Sequence, residues 1–353
     1  MRFALVITVG LAGLGAVWPA SPSTVERAYS TALYPAIQRA VTPVTNATPV
    51  AMLDLLLAIL VVVIPTALFV AIRDARRRRA ARPVLRTLGW VLVGAASAYV
   101  AFLALWGVNY RRVPMEARIE LARPAPGGDD VLRLGLTAAR ALNALHADAR
   151  QEGWLANEWR DEAMRLAFRD VQLALADAPP AVPGRLKDTV LGYYFRWAGV
   201  DGMVNPFGLE VLANPDLLPF ERPFVAAHEW AHLAGYADEA EASFVAWLVC
   251  LRASTAAQYS GWLYLFWQIS AEIDDSSRAQ LREALTQGPR RDLEAIADRL
   301  RRGQLPLLRA ASWRVYDQYL KANRVEEGVA SYGAMVTLVS RAQFDDGLPV
   351  RRE

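Results

Sequence analysis

Cysteine and histidine are almost missing from this 353-residue chain, which has one Cys and three His. A single thiol, Cys250, excludes an intrachain disulfide framework and a zinc site built from cysteines. Its neighbours Val249 and Leu251 are apolar, and no base stands beside it. It therefore reads as a buried, inert thiol rather than a nucleophile. An excess of one charge is also lacking. The formal net charge is +3, yet residues 73–86 alone hold seven Arg against one Asp, so the remainder of the chain is net acidic. That excludes a nucleic-acid surface spread over the main domain and leaves one local basic block with a topological role. Internal repeats and low-complexity tracts are absent too.

Apolar residues, by contrast, make up 54% of the chain, enough for a core and for membrane segments. Residues 3–18 form an apolar run after Met1-Arg2. Trp18-Pro19-Ala20-Ser21 offers no clean small-x-small cleavage site, so the run reads as an uncleaved signal anchor within residues 1–20. Residues 21–50, rich in Ser, Thr, Pro and Ala, read as a short extracytoplasmic loop with some helix. Two long apolar stretches follow, over 51–72 and 87–110, each long enough to span a bilayer. They flank the Arg-rich loop 73–86, which belongs on the cytoplasmic side. Residues 111–353 are then an extracytoplasmic domain. Arg111 and Arg112 fall on the wrong side of this scheme, two against seven.

Two of the three histidines fall within five residues, in Phe224-Val-Ala-Ala-His-Glu-Trp-Ala-His-Leu-Ala-Gly235. On a helix, positions four apart share a face, so His228 and His232 can address one metal ion. Glu229 can then act as general base on a water bound to that metal. Pro223 suits the first turn of the helix and Gly235 its end. Glu239-Ala-Glu-Ala-Ser243 opens a second helix that runs into the apolar Phe244–Leu251. A carboxylate at the start of that buried helix is placed to complete a tetrahedral site, the expected occupant being one Zn2+ per chain. Two counts compete for the third ligand. The spacing His-Glu-x-x-His-x-x-Gly-x-x-Asp points to Asp238, whereas Glu-x-x-Ala-Ser points to Glu239. The rigid anchorage of the second helix favours Glu239, with Asp238 better suited to a helix cap and Glu241 on another face.

The rest reads as mostly helical after a linker at Pro124–Gly128. Helical spacing runs over Val131–Gln151, Glu158–Ala176 and Leu186–Trp197. The third histidine, His146, lies in the first of these as a half-buried helix residue away from the site. Gly202–Asn214 is an extended segment, placed to pair with substrate backbone beside the metal helix or to serve as a plain connection. Ser260–Ile269, aromatic but short, reads as a core helix rather than a fourth span. Residues 276–302 read as a charged helical hairpin, and Trp313–Val339 as two helices around Asn323.

Several segments carry a family resemblance. They are Trp106-Gly-Val-Asn-Tyr-Arg111, Gly202 through Pro206-Phe-Gly-Leu-Glu210, the His228–Cys250 block, and Tyr259-Ser-Gly-Trp-Leu. With them go Tyr316-Asp-Gln-Tyr-Leu-Lys-Ala-Asn323 and Glu327-Gly-Val-Ala-Ser-Tyr332. In order along nearly the whole chain, they resemble the bacterial membrane family catalogued as domain of unknown function 3810, relatives of the zinc metallopeptidases. The resemblance implies N-terminal membrane helices and a mainly α, zincin-like domain with a small strand element, with His228, Glu229, His232 and Glu239 at its centre. Ser243 stands where related proteins are expected to carry Asn or Asp, which leaves the bracing of the third ligand open.

The reading that results is a multi-pass protein of the bacterial inner membrane, a zinc metallopeptidase acting outside the cytoplasm on a peptide or protein of the envelope. Its partners are that substrate and the lipid bilayer, not nucleic acid. Tyr236, Tyr319 and Tyr332 are candidates to steady an oxyanion. The alternative is a non-catalytic, zinc-binding envelope scaffold or receptor. Cleavage inside the bilayer is set aside on position, because the His pair lies more than a hundred residues beyond the last span.

Overall fold

A computed structural model describes residues 2–122, 126–154, 157–323 and 334–352. The N-terminal part is helical throughout. It runs α1 (Arg2–Val17), α2 (Pro22–Val25), a π-helical stretch Glu26–Leu33, α3 (Tyr34–Asn46), α4 (Met52–Arg78) and α5 (Arg82–Leu105). A 3-10 turn, Gly107–Arg111, and the short α6 (Met115–Arg118) lead into the main domain. There follow α7 (Gly128–Glu152), α8 (Glu162–Leu175), β1 (Leu186–Lys187), α9 (Gly192–Ala198), β2 (Gly202–Asn205) and β3 (Glu210–Ala213). The metal-motif helices come next, α10 (Arg222–Leu233) and α11 (Glu239–Leu251), then α12 (Thr255–Glu272), α13 (Asp275–Ala284), α14 (Gln287–Gly303), α15 (Pro306–Ala322) and α16 (Ala334–Arg341). A small hairpin, β4 (Phe344–Asp345) and β5 (Leu348–Pro349), ends the described chain.

Helices α4 and α5 are long and apolar enough to cross a membrane, and α1 with Pro22–Asn46 passes the same test only as a pair bent by 114°. Their large apolar side chains point outward rather than into protein, Val61, Val62 and Phe69 among them. A hydrocarbon environment rewards that arrangement and water does not. At 27 residues α4 extends for about 40 Å. It pairs with α5, and α1 packs along α5. The Arg-rich turn lies at one end of this hairpin, and both other ends are fastened to the domain.

Residues 21–50 differ from the expected loop. They are helical from Pro22 to Asn46 and built into the domain. Tyr34 donates its hydroxyl to the Leu233 carbonyl at 2.8 Å, and Thr42 donates to the Leu209 carbonyl at 2.8 Å. The polar residues that look like loop composition are consumed by these long-range bonds, which composition cannot reveal. Arg111 and Arg112, out of place as topology signals, are bound as well. Arg111 donates to the carbonyl of Gly15 at 2.7 Å. Arg112 grips both carboxylate oxygens of Glu26 and donates to the Gly235 carbonyl.

The domain is organised about α11, in which every residue from Glu239 to Cys250 is buried. From Phe244 to Leu251 this helix is apolar on every side and has to be enclosed. Helices α8, α10, α12 and α16 surround it, and α7 lies along α12. The aromatic stretch of α12 sends Leu263, Leu265 and Phe266 into this core, as expected of a soluble helix. α13 and α14 form the charged pair, and α15 ends at Asn323.

The extended segment is a hairpin, Gly202 opposite Ala213 through Asn205 opposite Glu210. β3 is central, with β1 parallel on one side and β2 antiparallel on the other. Leu186–Trp197 departs from the expected helix. It opens as β1, and only Gly192–Ala198 is α-helical. Here pairing with β3 and burial of the Lys187 ammonium against Glu210 at 2.8 Å outweigh local helical spacing.

Candidate metal centre

Local sequence sets the frame of the site. Pro223 occupies the first turn of α10, where its missing N–H is not needed. Gly235 ends the helix at φ +85°, a backbone that L side chains avoid, and the Asn109 carboxamide lies 3.0 Å from where a Cβ would stand. Three residues later Asp238 caps α11, accepting from the N–H groups of Ala240 at 2.9 Å and Glu241 at 3.0 Å. The two helices therefore meet at a fixed angle, with the first residue of α11 facing the His pair.

Three ligand atoms converge there. His228 Nε2 lies 3.1 Å from His232 Nε2 and 3.2 Å from Glu239 Oε2, which is 3.4 Å from His232 Nε2. Among the described residues this is the cluster able to hold a metal ion. The far nitrogens orient both rings. His232 Nδ1 donates to the Tyr236 carbonyl at 2.7 Å, and His228 Nδ1 meets the Ser243 hydroxyl at 3.2 Å. A His232 ring that gives its Nδ1 proton to a carbonyl presents a lone pair at Nε2. Lone pairs and a carboxylate oxygen brought this close repel unless positive charge lies between them. Tetrahedral coordination with bonds of about 2.0–2.1 Å has ligand-to-ligand edges of roughly 3.3 Å. The donor set and its spacing fit a divalent metal.

The electrostatics carry the same signature. Glu239 is buried with Oε2 lacking any hydrogen-bond donor. Burial alone would raise its pKa, but the two imidazoles hold it well below the usual carboxylate range. For His232 burial works downward, and the Glu239 carboxylate overcomes it and pushes the imidazole up to about 9. His228 is lowered by burial.

Glu229 is buried beside them, and its Oε2 has no partner. Burial pushes its carboxyl up to about 8. Gly202 of β2 is packed against it so closely that a Cβ would lie 2.5 Å from Glu229 Oε1. The strand expected beside the metal helix therefore touches the candidate base. Among the described residues no strand pairs with the side of β2 away from β3.

Sequence reasoning places His228, Glu229, His232 and Glu239 together; the structure brings ligand atoms of His228, His232 and Glu239 to one point, with Glu229 buried within electrostatic reach of them. Asp238 is a cap. Glu241 turns away to the Met115 N–H and the Arg118 guanidinium. His146 sits 3.5 Å from Asp292, apart from the cluster, and Cys250 is buried with its thiol pKa raised by burial. The Tyr236 ring lies under the guanidinium of Arg112 at 4.7 Å, so only its carbonyl serves the site. Tyr319 stacks on Tyr316 at 6.0 Å, and Tyr332 lies outside the described residues.

Three contributors were missed. The Tyr316 hydroxyl donates to Glu239 Oε1. The Trp106 indole donates to the His232 carbonyl at 2.9 Å. Tyr264 stacks on Phe224 at 3.7 Å, and the Phe224 ring in turn lies 6.2 Å from His228. Both Trp106 and Tyr316 fall in the segments that carry the resemblance, which was the available signal.

The sequence profile of a family described as "Protein of unknown function (DUF3810)" matches residues 29–340, and the chain belongs to that family. No curated protein and no solved structure matches it.

Proposed function

We propose that this protein is a membrane-anchored zinc metallopeptidase whose site faces the side opposite the Arg-rich turn, outside the cytoplasm. One observation carries the reading. A buried carboxylate with an unpartnered oxygen, Glu229, stands one residue from a ligand of a three-donor cluster that fits a tetrahedral metal. A structural zinc site closes its shell with protein atoms and has no use for such a group, whereas a hydrolytic one keeps a position open.

His228, His232 and Glu239 would hold the zinc, which would supply Lewis-acid polarisation of a carbonyl and a more acidic water. The chain's own residues do the rest. Glu229 receives a proton at Oε2 and returns it to the leaving amine. Burial pushes its carboxyl up to about 8, and a cation held beside it would favour the ionised form that a general base needs. The unpaired side of β2 offers backbone groups to an extended substrate, and Gly202 leaves Glu229 room beneath it. Tyr316 holds Glu239 in place, and its hydroxyl is the described tyrosine donor closest to the ligand set. Ser243, in the position where Asn or Asp was expected, steadies His228 rather than the third ligand.

The test is zinc content and peptide hydrolysis of wild type and Glu229→Gln. The reading expects about one zinc per chain in both and turnover only in wild type. Equal turnover in the two proteins removes Glu229 as the base. Zinc without turnover in either favours the scaffold alternative.

A further inference from the structure

The His pair, far beyond the last span in sequence, lies next to the end of that span in space. Trp106 is the residue that closes α5, its N–H bonded to the Phe102 carbonyl at 2.9 Å. Its indole donates to the His232 carbonyl, and its ring meets the His232 imidazole edge-on at 6.3 Å. One side chain thus separates the end of a membrane-length helix from a metal ligand. A second path runs in parallel. Phe102, in the last turn of α5, contacts Tyr319 at 6.3 Å, Tyr319 stacks on Tyr316, and Tyr316 donates to Glu239.

Helix α15 joins the ends of both long helices. At its start, the Leu305 N–H donates to the Trp197 carbonyl of α9 at 3.0 Å. The loop before α9 is tied to the first turn of α4, where Asp54 accepts from the Thr189 hydroxyl at 2.6 Å and the Val190 N–H at 3.0 Å. Toward its other end α15 presents Tyr319 to α5. α15 thus reaches the end of α5 through Tyr319 and the start of α4 through α9 and the loop before it.

The surface it offers there suits the depth of lipid headgroups. Leu307 is 88% exposed, Val315 71%, Val190 66% and Tyr193 64%. On α15, Leu307, Ala311 and Val315 recur every fourth residue along one side, while Tyr319 turns toward α5. Arg314 is an exposed cation on the same helix, of the kind found on helices that rest on lipid phosphates, while Lys321 is paired with Asp317 at 2.7 Å. Single exposed apolar residues need no explanation, but a row of them continuous with two spans does.

We infer that α9 and α15 rest on the bilayer surface and that the metal site acts on polypeptides anchored in that same membrane, on bonds close to their lipid- or helix-anchored ends. This rests on the peptidase reading and names its substrate class. Confinement of enzyme and substrate to one plane raises their effective concentration without any new contact.

The test uses full-length, zinc-loaded protein in liposomes. A mixed-sequence peptide pool is supplied with and without a palmitoyl chain on a Gly/Ser spacer. The acylated pool should be cleaved at least about tenfold faster, and Glu229→Gln should cleave neither. Equal rates on the two pools overturn the substrate class while leaving the peptidase intact. No cleavage of either pool overturns the peptidase reading and this inference with it. A second measurement does not depend on turnover. A bimane label on Leu307→Cys and on Val315→Cys should be quenched by lipids carrying a shallow nitroxide, with the buried Cys250 left unlabelled. Absence of quenching at both positions overturns the membrane contact even if peptides are cleaved.

Discussion

Two buried charged clusters lie at opposite ends of strand β2, and they are finished differently. At one end is Glu210. Its carboxylate accepts from Lys187 Nζ at 2.8 Å, Asn205 Nδ2 at 2.9 Å, and the N–H groups of Met52 at 3.0 Å and Leu53 at 2.9 Å. Burial would raise its pKa, but these donors hold it below the ordinary value. At the other end, past Gly202, are Glu229 and Glu239, each with an oxygen that no donor reaches. The fold is able to satisfy a buried carboxylate completely and does so where the carboxylate joins the start of α4 to the sheet. Leaving Glu229 and Glu239 short marks them for something the chain does not itself supply.

The largest expected effect lies at the open cluster. Glu239→Ala should reduce bound zinc from about one per chain to none by metal analysis. If Asp238→Ala loses the metal instead and Glu239→Ala keeps it, the third ligand has been misassigned.

Next comes the closed cluster. Lys187→Met leaves Glu210 charged and without its ion-pair partner, at a cost of about 3–5 kcal/mol in urea unfolding. Glu229→Gln should cost at most about 1 kcal/mol, because that carboxyl has no partner to lose. Similar losses for the two would erase the distinction between the clusters.

The same Glu229 variant carries a pH signature in chelator-treated protein. The folded pKa of about 8 stands above the ordinary 4.5. The stability contributed by the protonated group is therefore fully present below about 4.5 and is lost as pH rises through about 8. Wild type should lose stability relative to Glu229→Gln across that window. Parallel curves would place Glu229 in water rather than in the interior.

A smaller effect separates ligand from support. Tyr316→Phe keeps the ring and removes the donor to Glu239, and zinc affinity should fall by about 10–100-fold in competition with a chelator. Unchanged affinity would make that contact incidental. Smallest is Asp238→Ala, which should cost about 1 kcal/mol of thermal stability with zinc retained.

The metal helix, its glycine turn and the buried helix after it were legible because each is a local pattern. Spacing of four puts His228 and His232 on one face, Gly235 permits the turn, and the apolar Phe244–Leu251 run requires enclosure. The basic block between two apolar runs was legible for the same reason. The helical docking of residues 21–50, the opening of Leu186–Trp197 as β1, and the placement of Arg112 were not. Each depends on a partner that spacing does not reveal. Tyr34 bonds to a residue 199 positions away, and Lys187 to one 23 positions away.

By itself the sequence left open which carboxylate, Glu239 or Asp238, faces the His pair. It determined that two imidazoles share a helix face with carboxylates close behind, and which helices are long and apolar enough to cross a membrane, since both follow from residue type and short-range period. Only the tertiary structure decided how far apart those two features lie. Trp106 and His232 are 126 residues apart in sequence and share a hydrogen bond. Chain separation sets the entropy of closing a loop, which grows only slowly with length, and packing of the enclosed α11 core is ample to offset it.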